Sequence, residues 1–462
     1  MKKQLVNVWL IKLVALMLAL AGCAREQPDP PALQIDEALL ELAEEPEPLP
    51  EEPDPLLTPD SFTLKSAPAD LFVFLNGERI NPVSTIPDAG LRTFEIGEVG
   101  ILSFRAAGYR AIEHHSSALP VRGGIVGVKL ELSSGILQLQ GEYRTGVQPK
   151  SAVFSPDGER LVLPLLGQHG IDVFRRTGDL LEFERRLSVP GSDSAGFVEA
   201  MFDSRRRELW VSNMTKNSVH IFDLDTLEYK ASLGTGGVYP KVIAQSPDGN
   251  FTVVSNWVSR DVSVFDTDTR ELLRRIPVGG IPRGMAFSHD GTLLYTAIFD
   301  EPVIAVIDMS QNRVTNRFRL HEEPGAARHI IYRNGRLYVS DMLRGTVNIL
   351  NASTGTLLRS RRIGPNINTI VISPDGRYVF ASSRGRNSPL GYLFPGPDFG
   401  AVFKLRAEDL SHVERVWGRN QPTGLDISPD GRMLVFTDFL DNNLQLYLVP
   451  VMNEEAPAPA SF

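Results

Sequence analysis

With 462 residues, 39 Gly, 33 Pro and 42% hydrophobic content, the chain has room for two or three domains. It reads as many short strands and turns, not long helices. Its single cysteine excludes an intramolecular disulfide, a CxxCH haem site and any multi-cysteine zinc site. The net charge of −9 disfavours nucleic acid and anionic membrane surfaces as partners. That charge sits in one place: residues 25–60 hold 12 acidic residues and one basic residue, which leaves residues 61–462 close to neutral.

The chain opens with Lys2 and Lys3, then an apolar run from Val8 to Ala21 broken only by Lys12. This is short for a permanent span and ends in small residues, as a cleavable signal over 1–22 does. Leu20-Ala21-Gly22-Cys23 resembles the lipobox of bacterial lipoproteins. The resemblance implies lipidation of Cys23 and a membrane partner reached through that anchor. It implies a cell-envelope location, with Ala24 after the cysteine favouring the outer membrane or periplasmic side.

Residues 23–60 read as an acidic tether with nine prolines, extended by polyproline geometry and charge repulsion. Ile35 to Glu44 has the pattern of a short amphipathic helix, or of plain solvated spacer. From 61 to 132 short alternating strands replace the tether. Leu71 to Leu75 followed by Asn76-Gly77 is a hairpin signal. The order SAPADLFVFLNGERI, FRAAGYRAIEHH and GGIVGVKLEL resembles the PEGA domain, a small β module of bacterial envelope proteins. His114 and His115 are adjacent in a strand, so they point to opposite faces and read as surface polarity; no metal site is expected.

Self-similarity with a period of about 40–50 residues dominates the rest, 133–450, with a tail at 451–462 expected to be disordered. A tight turn recurs at Ser155, Asp203, Ser246, Ser288, Arg333, Ser373 and Ser428, most often as Ser-x-Asp-Gly. Seven such turns predict an all-β fold: a seven-bladed β-propeller preceded by a small β-sandwich-like domain. The last unit has three strands, and the segment Gly135 to Tyr143 is expected to supply its fourth and close the ring. Trp210-Val211-Ser212-Asn213 and Val253-Val254-Ser255-Asn256 resemble the YVTN-type propeller repeats.

Aligning the units places Lys150, Lys241, Arg283 and Arg328 at the start of the innermost strands, around one channel mouth. There they attract an anion, pair with nearby carboxylates such as Glu199 or Asp341, or are simply solvated. The loops leaving the second strands bring Asn213, Asn256 and Asp341, with Trp257, to the same face. Unit six carries a long insertion, 384–400, whose Tyr392 and Phe394 are costly to expose unless covered. These ten residues form the candidate ligand site, for a small anion or an envelope protein.

In the fifth unit, Arg328-His329 is similar to the Gly-Pro-Arg-His motif of seven-bladed lactonases acting on phosphorylated sugar lactones. That resemblance implies Arg328 as oxyanion or phosphate stabiliser and His329 as base. The Gly-Pro is absent here, and a glutamate of that family is at best replaced by Asp341. No cofactor motif is present. The leading expectation is therefore a non-catalytic binding or scaffold lipoprotein; the alternative is an envelope lactonase-like hydrolase using Arg328 and His329.

Overall fold

A computed structural model describes residues 61–67, 72–76, 78–86, 91–96, 99–105, 112–116, 125–129 and 137–449. Cys23, the tether, the Ile35–Glu44 segment, Gly108-Tyr109 and the tail lie outside the described residues. Among the described residues, no helix is long and apolar enough to cross a membrane.

The recurrent tight turn is fixed by its own side chains. In the first blade, Ser155 Oγ donates to Asp157 Oδ1 at 2.5 Å and accepts from Arg160 N at 2.9 Å. Gly158 N donates to Ser155 O at 2.8 Å, and Gly158 takes a φ of +74° that a side chain would resist. Asp203 performs the same task in blade two, accepting from Arg205 N and Arg206 N at 3.0 Å each. Blade five uses Asn334-Gly335, both at positive φ, as a two-residue hairpin.

Each turn joins the inner two strands of a four-stranded antiparallel blade, and the first six blades run inner to outer in chain order. Blade three is representative: Pro240–Gln245, Phe251–Asn256, Asp261–Asp266 and Leu272–Pro277. Its middle strands are buried on both faces, whereas its outermost strand is largely exposed. The core is accordingly seven layers between neighbouring blades. Val253, Val262 and Val264 pack on Met285, Leu294 and Ile307 of the next blade, for example.

The seventh blade, Pro422–Ile427, Met433–Asp438 and Asn443–Leu448, takes its outer strand from Gln138–Arg144. Leu444 opposes Tyr143 and Leu446 opposes Gly141, so the ring closes by a strand that precedes blade one, as expected from sequence. Closure removes the exposed edge that an open array would leave.

Upstream, two four-stranded sheets form the small β unit. One runs Ser84–Ile86, Leu91–Glu95, Ser61–Ala67, Ile125–Lys129; the other runs Glu78–Ile80, Phe72–Leu75, Ile101–Arg105, Ile112–His115. Phe62, Phe94 and Phe104 fill the space between them, with Phe62 and Phe94 stacked at 5.4 Å. His114 and His115 are both exposed. No cluster of metal-ligating side chains occurs among the described residues.

Candidate functional site

The innermost strands are not regular. In blades two to seven each carries one extra residue against its neighbour, between Phe197 and Ala200, Pro240 and Ile243, Pro282 and Met285, Ala327 and His329, Ile367 and Ile370, and Pro422 and Leu425. Such bulges re-aim side chains. The residues they carry are Val198 and Glu199, Lys241, Arg283, Arg328, Asn368 and Thr423.

Second-strand hydroxyls hold the bulges in place. Ser255 Oγ accepts from Val242 N at 3.0 Å and donates to Arg283 O of the next blade at 3.0 Å. Ser212 joins Glu199 N to Lys241 O, Ser340 joins His329 N to Asn368 O, and Thr437 joins Gly424 N to Pro149 O. The backbone at Lys241, at Arg283 and just before Lys150 is thereby positioned by the neighbouring blade, whereas Thr296, the equivalent residue ahead of Arg328, makes no such bond among the described residues.

The result is a cluster of buried cations. Lys150, Arg283, Arg328 and Arg384 are each below 9% exposed. Arg283 lies 3.7 Å from Glu199, the one carboxylate that any of them reaches as an ion pair among the described residues. In place of further acids, aromatic faces hold the charges. Lys241 and Arg283 each lie 5.7 Å from the Trp257 ring, and Trp257 packs on Phe299 at 4.7 Å. Lys150 lies 4.5 Å from Phe439 and 5.9 Å from Tyr392, and Arg384 5.5 Å from Tyr392.

Titration follows from burial and crowding. Burial, then the charges of Arg384, Arg328 and Arg283, hold Lys150 well below the usual lysine range. Burial and Arg283 lower Lys241 to about 7, with Glu199 opposing, and among the described residues its ammonium donates a hydrogen bond only to Met214 Sδ, at 3.1 Å. Burial lowers Arg384 to about 10 and also lowers Arg328 and Arg283. His329 is pushed down to about 3 by burial and then by Arg328 and Arg283, so its imidazole is neutral at pH 7. Its Nδ1 is enclosed without a protein partner, as are Arg283 Nη1 and Arg384 Nε.

The structure thus brings together Lys150, Lys241, Arg283, Arg328, His329, Trp257 and Tyr392. It does not bring Asn213, Asn256 or Asp341 to the mouth. Asn213 Oδ1 caps its own loop, accepting from Thr215 N and Lys216 N at 3.1 Å. Asn256 Nδ2 donates to Asp261 and Ser263 at 2.8 Å. Asp341 accepts from Ala326 N, Arg344 N and His321, so it does not stand in for the missing glutamate. Phe394 is 49% exposed and offers its carbonyl to Gln421 at 3.5 Å.

Two contributors, Arg384 and Gly284, escaped the sequence reading. Arg384 stands where other blades carry Met214, Trp257, Phe299 or Phe439, and a cation among those apolar residues was the available signal. Glu199, expected from sequence as a possible partner of the basic residues, sits beside Val198, one place along the bulge, and pairs with Arg283. Gly284 has no polar atom to advertise it. A Cβ there would meet Arg328 O at 2.8 Å and His329 Cα at 2.9 Å, so its bareness lets blade five approach.

Comparison with known proteins adds the family. Residues 128–315 and 300–453 match the family described as "Lactonase, 7-bladed beta-propeller". Antigen Lp49 of Leptospira interrogans is 37% identical over 319 residues, covering 66% of this chain and 68% of that protein. A seven-bladed β-propeller protein of Mycobacterium tuberculosis is 29% identical over 114 residues, 24% of this chain and 29% of its own length. Among solved structures, Kuenenia stuttgartiensis hydrazine synthase aligns with a TM-score of 0.55 at 19% identity, over 66% of this chain and 96% of that one, a likeness of fold. The family match overturns the expectation of a non-catalytic binding or scaffold module and the reading against an enzyme; the lactonase-like alternative is the better supported. The absence of the Gly-Pro and of the glutamate does not empty the site: Arg328 and His329 lie in a cationic mouth whose Arg283 pairs with a carboxylate, Glu199, from another blade.

Proposed function

This chain belongs to the lactonase family of seven-bladed β-propellers, and from that premise we propose that it opens cyclic esters at its cationic mouth. The observation that carries this reading is the adjacency of Arg328 and a neutral His329 on one bulge, within a cluster that selects an anionic substrate.

Water adds to the ester carbonyl carbon as its proton passes to the His329 imidazole. Arg328 takes up the charge growing on the carbonyl oxygen. Collapse breaks the ring carbon–oxygen bond, and the proton moves from the imidazolium to the leaving alkoxide, giving a hydroxy acid. A bound anion offsets the charges of Arg328 and Arg283, which raises the basicity of His329 when substrate is present. Lys150, Lys241, Arg283 and Arg384 hold the substrate's charge, and Glu199 holds Arg283.

The site works from the cell envelope in this reading. The lipobox-like run at Cys23 supports a lipid anchor, the acidic segment to residue 60 a standoff, and the 61–132 region a PEGA-like module before YVTN-type repeats. Acid release from a panel of lactones, followed at constant pH, tests the activity. His329→Ala should lower kcat/KM by about 10²–10⁴-fold. Absence of hydrolysis for every lactone, or a full rate in His329→Ala, removes the reading.

A further inference from the structure

The surroundings of the cation cluster define what else its ligand must carry. Three rings stand over the cations, Trp257, Tyr392 and Phe439. They fall in two pairs, Trp257 packed on Phe299 and Tyr392 stacked on Phe439 at 6.5 Å. Outside them the loops of the same face expose further apolar side chains. Val238, Val258, Leu343, Leu390 and Phe394 are all between 39% and 75% exposed. Isolated apolar residues on a surface mean little, but here they form a collar on one face, around one charged centre.

The polar side chains that a sugar would need are spent elsewhere. Asn213, Asn256, Asp341 and Asp438 are at most 1% exposed and are engaged in holding their own loops. Gln421 has both ends of its amide engaged, with Arg384 and with the Tyr392 carbonyl. The charged groups of the outer loops pair with each other, as Arg260 does with Asp300 at 3.7 Å and Arg386 with Asp398. At the centre of the mouth Arg283 Nη1, Arg384 Nε and His329 Nδ1 are left to serve a ligand. The hydroxyls of a polyol that reach beyond them, between the rings, would lose their water without replacement, which disfavours binding.

We propose that the ligand of this mouth is an anion joined to an apolar body, an acyl- or aryl-bearing lactone acid and not a polyhydroxylated sugar acid. The anionic group meets the buried cations, and the apolar body lies between the two ring pairs under the 384–400 insertion. As a statement about substrate this rests on the hydrolase reading; as a statement about ligand it does not.

Calorimetric titration of the purified chain with two singly charged probes at one ionic strength, naphthalene-2-sulfonate and gluconate, tests it. Naphthalene-2-sulfonate should bind at least tenfold tighter. Trp257→Leu with Tyr392→Leu should weaken it at least fivefold more than it weakens inorganic phosphate, whose binding reports what the rings do for the cations alone, and far-ultraviolet circular dichroism reports an intact fold. Equal or tighter binding of gluconate overturns the proposal, as does undiminished naphthalene-2-sulfonate affinity in the double variant. Hydrolysis of an alkyl γ-lactone acid and of gluconolactone separates the two readings. Preference for the sugar lactone removes the ligand class and leaves the hydrolase. Ring-dependent binding with neither lactone opened removes the hydrolase and leaves the ligand class.

Discussion

Arg384 donates to the side-chain oxygen of Gln421, and the nitrogen of that same amide donates to the Tyr392 carbonyl at 2.6 Å. One glutamine of blade seven therefore fastens both the cation at the root of the blade-six insertion and the ring at its middle. Gln421 is 2% exposed, so neither bond is shared with solvent.

Gln421→Ala should free the insertion. Loss of a buried, charge-assisted hydrogen bond costs about 1.5–3 kcal/mol. The expected outcome is a lower urea midpoint, together with faster proteolytic cutting within 388–398 and a raised KM for anionic lactones.

Ser255→Ala and Thr296→Val form a paired test of the hydroxyl links between blades. Ser255 serves two backbone groups, whereas the buried Thr296 Oγ1 serves none among the described residues. The serine change should destabilise by about 1–3 kcal/mol and the threonine change be close to neutral, as read from denaturation midpoints.

Gly284→Ala should displace the Arg328-His329 backbone, which lies within 3 Å of the new methyl group. An overpacking cost of about 1–3 kcal/mol is expected, with kcat falling more than KM rises. The same kinetic constants as the unsubstituted chain would show that this close approach has no bearing on catalysis.

Lys241 gives a pH dependence with a definite sign. Its folded value is about 7 and its ordinary value 10.5, so between those limits the unfolded chain binds more protons. Stability should rise with pH through that window and be lowest below 7, where the buried ammonium is charged. Urea midpoints at pH 6.5 and 9 should show this slope in the native chain, where the lowered Lys150 adds to it with the same sign, and a smaller slope in Lys241→Met.

Cys23→Ser should move the protein from the membrane fraction to the soluble one and abolish incorporation of labelled fatty acid. Membrane retention of the serine variant would disprove the anchor.

The blade count and the four basic positions were legible because they repeat. Ser155, Ser246, Ser288, Ser373 and Ser428 each open the same turn, and with the turns at Asp203 and Arg333 they count seven blades. Lys150, Lys241, Arg283 and Arg328 fall in register with those turns. What could not be read depends on contacts between units distant in the chain. That Glu199 pairs with Arg283, across blade three, is one such contact, and the bareness of Gly284 matters only because blade five presses on it. Asn213, Asn256 and Asp341 misled for a related reason. Loop polarity looks the same in sequence whether an amide faces a ligand or caps its own turn.

Ring closure has a consequence for how the protein is made. Gln148 N donates to Asn442 Oδ1 beside the closing strand, a contact between residues 294 positions apart. At about 5–20 residues per second on the ribosome, the first strand of the ring waits on the order of 15–60 s for its partner to be synthesised. Throughout that interval six blades can assemble in order while the band stays open, its free edges able to pair with another chain. A chain of this design depends on being shielded until its last blade emerges, and closure is the step at which it becomes self-sufficient.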